Sequence, residues 1–162
     1  MKNFYKNHFK KIKDIFSTID VSQLEKIFKL FFKIKKSKKK IIICGNGGSA
    51  ATASHVAVDL TKNAKIKSVT FNEYDLITCF ANDYGYEKWI SQSINFYAEK
   101  GDILVLLSCS GNSKNLVNAN KAAIKKGLKI ISLTGCKKNN KLNSIRSNLK
   151  IWVDSKEYNI IE

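Results

Sequence analysis

Ser108-Cys109-Ser110-Gly111-Asn112-Ser113 follows the continuous apolar run Ile103-Leu104-Val105-Leu106-Leu107 and precedes a helical pattern that begins at Lys114. A strand that is apolar on both faces, a hydroxyl-rich turn with one glycine, and a helix start form a unit that can bind an anion. The first N–H groups of a helix have no partner inside it, and the helix dipole favours negative charge there. Ser108, Ser110 and Ser113 add hydroxyl donors, with Cys109 among them. The loop alone also fits a plainer role in which Asn112 or Ser113 caps the helix.

Working outward, a second unit of the same kind precedes it. Ile41-Ile42-Ile43-Cys44 reads as a short buried strand, Gly45-Asn46-Gly47-Gly48-Ser49 as a glycine turn, and about 50–61 as a helix. Glycines allow close backbone approach and positive φ. The turn is neither G-x-G-x-x-G nor a Walker loop, which disfavours a nicotinamide or ATP site and leaves no nucleotide cofactor expected. Further strands are expected at 66–71, 128–133 and 150–153, with helices between them and a polar loop at 81–86. Strands alternating with helices specify a parallel sheet covered on both faces, with ligands at the carboxyl ends of the strands. Both turns fall at such ends, which favours the cradle over the cap.

Residues 1–40 read as an N-terminal helical segment and 41–162 as the α/β core of a single domain. Apolar positions from Phe9 to Ile34 recur at helical spacing, broken near Asp20-Val21-Ser22. The second of these helices is apolar on more than one face, as suits packing against both the domain and a partner subunit. Residues 1–40 hold 13 Lys against 3 acids, so most of the net charge of +16 sits in this segment. No nucleic-acid motif accompanies this charge, and a solvated basic helix face accounts for it. No apolar run approaches the roughly 18–20 residues of a membrane helix, and a cytoplasmic location is expected. Cys44, Cys79, Cys109 and Cys136 are widely spaced with no C-x-x-C, so a metal knuckle is disfavoured; three of them adjoin apolar runs where buried thiols sit. His55 and Asp59 lie four apart on one helix face. Such a pair serves as a surface hydrogen bond, or in metal binding or proton transfer.

Several stretches together resemble the sugar isomerase (SIS) domain family, and within it the phosphoheptose isomerases. They are Cys44 to Ser49, His55 with Asp59-Leu60-Thr61, Asn82-Asp83-Tyr84-Gly85-Tyr86-Glu87, Gly101-Asp102, Ser108 to Ser113, and Ala122-Ala123 through Gly127 to Leu133-Thr134-Gly135. The resemblance implies a homotetramer of α/β domains, each a doubly wound parallel sheet in a flavodoxin-like three-layer α/β/α arrangement, packed through N-terminal helices. It implies isomerisation of sedoheptulose 7-phosphate to D-glycero-D-manno-heptose 7-phosphate through an enediol, supplying heptose for surface polysaccharide. Ser108, Cys109, Ser110 and Ser113 would grip the phosphate, while Asn46, Gly47, Gly48, Ser49, Asn82 and Asp83 would contact the substrate. His55 and Asp59 would be catalytic and would bind zinc. The family usually carries Glu where Asp59 stands, Arg at Asn63, Thr at Cys109 and a Gln ligand at Ile161, and it continues past the position of Glu162 into a helix with a further catalytic and metal-binding His. With His55 and Asp59 alone, the zinc shell is expected to be incomplete. These departures also motivate an alternative, a non-catalytic SIS module that binds a sugar phosphate or a protein such as a replication initiator.

Overall fold

The computed structural model describes residues 1–162, and every strand in it pairs parallel. Two helices lead, α1 (Lys2–Ser17) and α2 (Val21–Lys35). The core follows as β1 (Ile41–Cys44), α3 (Gly48–Lys62), β2 (Ser68–Val69), α4 (Tyr74–Tyr84), α5 (Trp89–Tyr97), β3 (Ile103–Ser108), α6 (Lys114–Lys126), β4 (Lys129–Thr134), α7 (Lys141–Ser144), β5 (Leu149–Trp152) and α8 (Tyr158–Ile161). The sheet order is β2-β1-β3-β4-β5. From β1 the chain winds one way to β2 and then crosses back to β3. The crevice beyond the carboxyl ends of β1 and β3 is therefore the switch point at which such sheets bind ligands.

The unbroken apolar strands follow from having both faces covered. Alternate residues enter opposite layers. Ile42, Cys44, Leu104, Leu106 and Ile130 meet Ile90 and Ile94 of α5 and Leu116, Ala119 and Ala123 of α6. Ile41, Ile43, Ile103, Val105 and Ile131 meet Ile34 of α2 and Ala53 and Ala57 of α3. The alanines let these helices approach closely.

The boundaries depart from expectation in three places. β2 shrinks from 66–71 to two residues, as befits an edge strand paired on one side only. The expected polar loop 81–86 is in its first four residues the end of α4, because Leu76, Ile77, Phe80 and Ala81 pack on the core and carry the helix on to Tyr84. The polar stretch after β4 contains α7, capped by Asn140, whose side chain accepts from Asn143 N at 2.9 Å. Asp20 caps α2, accepting from Ser22 N at 2.9 Å. Helix α2 applies Ile27, Leu30, Phe31 and Ile34 to the sheet layer, while Leu24, Phe28 and Phe32 are exposed; α1 buries no residue. No helix is long and apolar enough to cross a membrane.

At the amino end of β3 the side chain of Asp102 is fully buried. It takes the Lys40 ammonium at 2.9 Å, Lys40 N at 3.1 Å and Glu99 N at 2.9 Å. This clamp ties the start of β3 to the residue before β1 and to the end of the segment that follows α5.

Candidate functional site

The register Cys44↔Leu106 sets the glycine turn beside the serine loop. Between them lies a cavity of about 160 Å³ lined by Asn46, Ser49, the loop residues Ser108 to Ser110, Ser113, Tyr158 and Glu162. A wider hollow of about 580 Å³ adjoins it, lined by Asn46, Tyr84, Gly85, Tyr86, Glu87, Ser113, Lys114 and Asn115. Asn46, Ser113 and the first turn of α6 are thus the threshold between the two.

The serine loop is fixed from below. Gly111 has φ +65°, and a Cβ there would collide with the Asn140 side chain, so only glycine passes. Its N–H donates to both the carbonyl and the Oγ of Ser108, each at 3.1 Å. The Ser108 hydroxyl hydrogen is left to donate elsewhere. Asn112 accepts from Lys141 N at 3.1 Å, which pins the loop to α7. Ser113 occupies the N-cap position of α6 by backbone angle, yet its side chain makes no capping bond. Leu116 N instead donates to Asn115 Oδ1 at 3.0 Å. The hydroxyl of Ser113 is therefore free, and so are the backbone N–H groups of Lys114 and Asn115. The plainer reading of Ser113 and Asn112 as side-chain caps does not hold.

The glycine turn is built the same way. Gly47, at φ +56°, ends it, and Ala50 N and Ala51 N close on its carbonyl. Ser49 Oγ donates to Glu162 Oε1 at 3.0 Å, and the Cys109 thiol donates to the same oxygen at 3.3 Å. Burial pushes the Cys109 thiol up to about 11; the Glu162 carboxyl adds to the rise and the Ser49 hydroxyl opposes it. No Lys or Arg lines the cavity. Despite the basic chain, an anion here would meet hydroxyls and helix N–H groups, with the Glu162 carboxylate at the same cavity wall.

His55 and Asp59 lie elsewhere. Their Nε2 and Oδ2 are 3.4 Å apart on the outer face of α3, with side chains 80% and 52% exposed. His55 stands six residues beyond Ser49, about 9 Å along the helix, and neither residue lines the cavity or the hollow. Asp59 also accepts from Asn63 Nδ2 at 3.1 Å, so the Asn at position 63 binds the acid directly. No group of three His, Cys, Asp or Glu side chains is placed to hold a metal. Two ligands do not complete a tetrahedral zinc site; the residues present do not fit the ion, and no step below runs through it. Asn82 and Asp83 are exposed on the last turn of α4, bonded to each other at 3.0 Å, while their neighbours Tyr84 and Tyr86 line the hollow. Cys79 is exposed on the same helix, against the expectation for a thiol beside an apolar run, because the inward positions of α4 are Leu76, Ile77 and Phe80.

Sequence reasoning missed Asn115, Tyr158 and Glu162, and it named Tyr86 within a motif without giving it a role. Asn115 carried one signal, a short polar residue in the first helical turn, where Asn commonly bonds to backbone. Its partner lies 69 positions away and had no local sign.

A parallel sheet with an anion-competent cradle at its switch point defines a class of ligand-binding α/β domains, and residues 4–135 match the SIS domain. The chain belongs to the SIS domain family. Within it, the chain is 41% identical over 118 residues to the phosphoheptose isomerase of Aliarcobacter butzleri, spanning 69% of this chain and 62% of that protein. It is 36% identical over 146 residues to the phosphoheptose isomerase of Sulfurimonas denitrificans, spanning 83% and 75%. The solved phosphoheptose isomerase of Neisseria gonorrhoeae superposes with a TM-score of 0.90 at 28% identity, covering 99% of this chain and 89% of that one.

Proposed function

We propose that the protein is a phosphoheptose isomerase that interconverts sedoheptulose 7-phosphate and D-glycero-D-manno-heptose 7-phosphate in the cytoplasm. One observation carries the reading: a cradle of serine hydroxyls and free helix N–H groups at the β1/β3 switch point, in a chain whose relatives bear that name. Ser108, Ser110, Ser113 and the start of α6 receive the phosphate and orient the sugar, while Asn46 and the glycine turn face its remaining length. Isomerisation removes a proton beside the carbonyl and returns one to the neighbouring carbon. Asp59, paired with His55, is the proton-transfer group of this reading. The exposed apolar positions Leu24, Phe28 and Phe32 of α2 support assembly into a homo-oligomer, a tetramer in this reading.

The outward placement of His55 and Asp59 favours a second reading, a module that binds the sugar phosphate without turning it over. The two part on one experiment. Protein incubated with sedoheptulose 7-phosphate, with and without added zinc, forms the aldose product if the first holds. Saturable binding with no product establishes the second, and no binding removes both.

A further inference from the structure

Asn46 and Asn115 face each other across the crevice and exchange hydrogen bonds. Asn46 Nδ2 donates to Asn115 Oδ1 at 3.0 Å, and Asn115 Nδ2 donates to Asn46 Oδ1 at 2.8 Å. A third group converges on them, since Tyr86 Oη donates to Asn46 Oδ1 at 3.2 Å. Asn115 is 2% exposed, so its amide has little access to solvent. The orientation of such a pair is ordinarily open to an O/N exchange. Here the backbone decides it. Leu116 N can only donate, and it points at one end of the Asn115 amide at 3.0 Å; that end is Oδ1. Asn115 therefore presents Nδ2 to Asn46, and Asn46 must answer with its oxygen. The Tyr86 hydroxyl, able to donate or accept, donates.

This leaves Asn46 with a defined remainder. Its oxygen takes two donors, one N–H is held inside the pair, and the second N–H has no partner. Asn46 lines both the cavity and the hollow. We propose that Asn115, assisted by Tyr86, is a positioning residue that fixes the Asn46 amide as a hydrogen-bond donor toward a carbonyl or hydroxyl oxygen of the bound sugar. The N-terminus of α6 thus does two jobs: its free N–H groups face the phosphate, and Leu116 N sets the polarity of the contact to the sugar. This inference rests on the proposed sugar-phosphate site for its ligand, but the amide orientation is independent of it.

The test uses the full chain and three variants. Asn115→Asp keeps the shape and both acceptor roles toward Leu116 N and Asn46 Nδ2, and it replaces the donor to Asn46 Oδ1 by an acceptor. Tyr86→Phe removes only the exposed hydroxyl. Asn46→Asp removes the donor itself. Calorimetry with sedoheptulose 7-phosphate is expected to give about a tenfold loss of affinity for Asn115→Asp and Asn46→Asp and about threefold for Tyr86→Phe, the loss of one or part of one polar contact. Affinity for inorganic phosphate, which needs only the cradle, is expected to stay within about twofold for Tyr86→Phe and to fall clearly less than sugar-phosphate affinity in the two Asp variants, whose added carboxylate repels both anions alike, a split that a general loosening of the site would not produce. Equal losses for both probes, or none for either, would overturn the proposal. The side-chain amide of Asn46 gives the ligand-free readout by NMR. Its two Nδ2 protons should exchange with water at unequal rates in the parent protein, and Asn115→Asp should shift both resonances. Equal exchange in the parent refutes the orientation; a parent that passes this test but binds no sugar phosphate refutes the proposed function and with it the donor role toward the sugar.

Discussion

The two ends of β3 are made of similar polar material and used in opposite ways. At the amino end, Asp102 is buried with its carboxylate saturated by one ammonium and two backbone N–H groups. Beyond the carboxyl end, the Ser113 hydroxyl and the first N–H groups of α6 have no partner. Burial of a charge is tolerated only where it is paired and hydrogen-bonded, so the amino end can serve only to hold the sheet. Free donors are tolerated only where water or a ligand reaches them, so the carboxyl end is available for binding. The difference separates a motif that holds the fold from one that receives a ligand, although the resemblance groups Gly101-Asp102 and Ser108 to Ser113 together.

Removing the clamp is the most severe way to break this contrast. Asp102→Ala leaves the Lys40 ammonium and two N–H groups without an acceptor, and a stability loss of about 3–5 kcal/mol is expected in urea unfolding. The pH dependence has a fixed sign. Burial pushes the Asp102 carboxyl up, but the Lys40 ammonium and the N–H groups of Glu99 and Lys40 outweigh it and hold it below the ordinary range. A carboxylate lowered in the folded state contributes stability above its unfolded value, about pH 4, and loses it as pH falls through the folded value. The gap in unfolding midpoint between the parent and Asp102→Asn should thus narrow between about pH 5 and pH 2; a gap that widens on acidification contradicts the clamp.

The carboxyl end can be probed through its thiol. Burial raises Cys109 to about 11, with Glu162 adding to the shift. At pH 8 it carries about 100-fold less thiolate than an ordinary cysteine, and its alkylation should be slower by about that factor. Iodoacetamide labelling followed by peptide mass spectrometry should find exposed Cys79 first, with Cys109 and the buried Cys44 last. Cys109 labelled as fast as Cys79 would show that the thiol is not held against Ser49 and Glu162.

Much of this contrast was legible in the sequence, and the rest had a physical reason for being hidden. The apolar runs at 41–44 and 103–107 signalled strands covered on both faces, and the turns after them signalled the binding end, because both signals are local. The extent of α4 was not legible: Asn82-Asp83-Tyr84 is polar and loop-like, and only core contacts from Leu76, Ile77 and Phe80 extend the helix through it. Likewise Asp102 reads from the sequence as a turn residue, since the Lys40 that neutralises it lies 62 positions away. His55 and Asp59 were legible as a pair by their spacing, but their distance from the cavity depends on where α3 points.

Smaller effects are expected from the loop hydroxyls, of which Ser110 Oγ accepts only the exposed Asn112 N at 3.2 Å. A serine that caps a helix stabilises it by about 1 kcal/mol, but the Ser113 side chain caps nothing. Ser113→Ala and Ser110→Ala should leave the unfolding midpoint within about 0.5 kcal/mol of the parent and weaken binding of sedoheptulose 7-phosphate about tenfold each, the loss of one hydrogen bond to a charged group. Ser113→Ala that lowers stability instead would return the loop to the role of a cap.

The smallest expected effect on stability is also the most informative about chemistry. The His55–Asp59 contact is 3.4 Å long and faces solvent, and exposed pairs of this kind contribute about 0.2–1 kcal/mol. Asp59→Asn and His55→Ala should therefore leave the urea midpoint almost unmoved, in contrast to Asp102→Ala. They lie outside the cavity lining, so affinity for sedoheptulose 7-phosphate should also stay within about twofold. Any fall in product formation in these two variants is then a loss of proton transfer, free of the folding and binding effects that obscure most active-site substitutions. If turnover persists in both, the proton-transfer group must be sought among the residues that do line the cavity, where Glu162 presents the carboxylate.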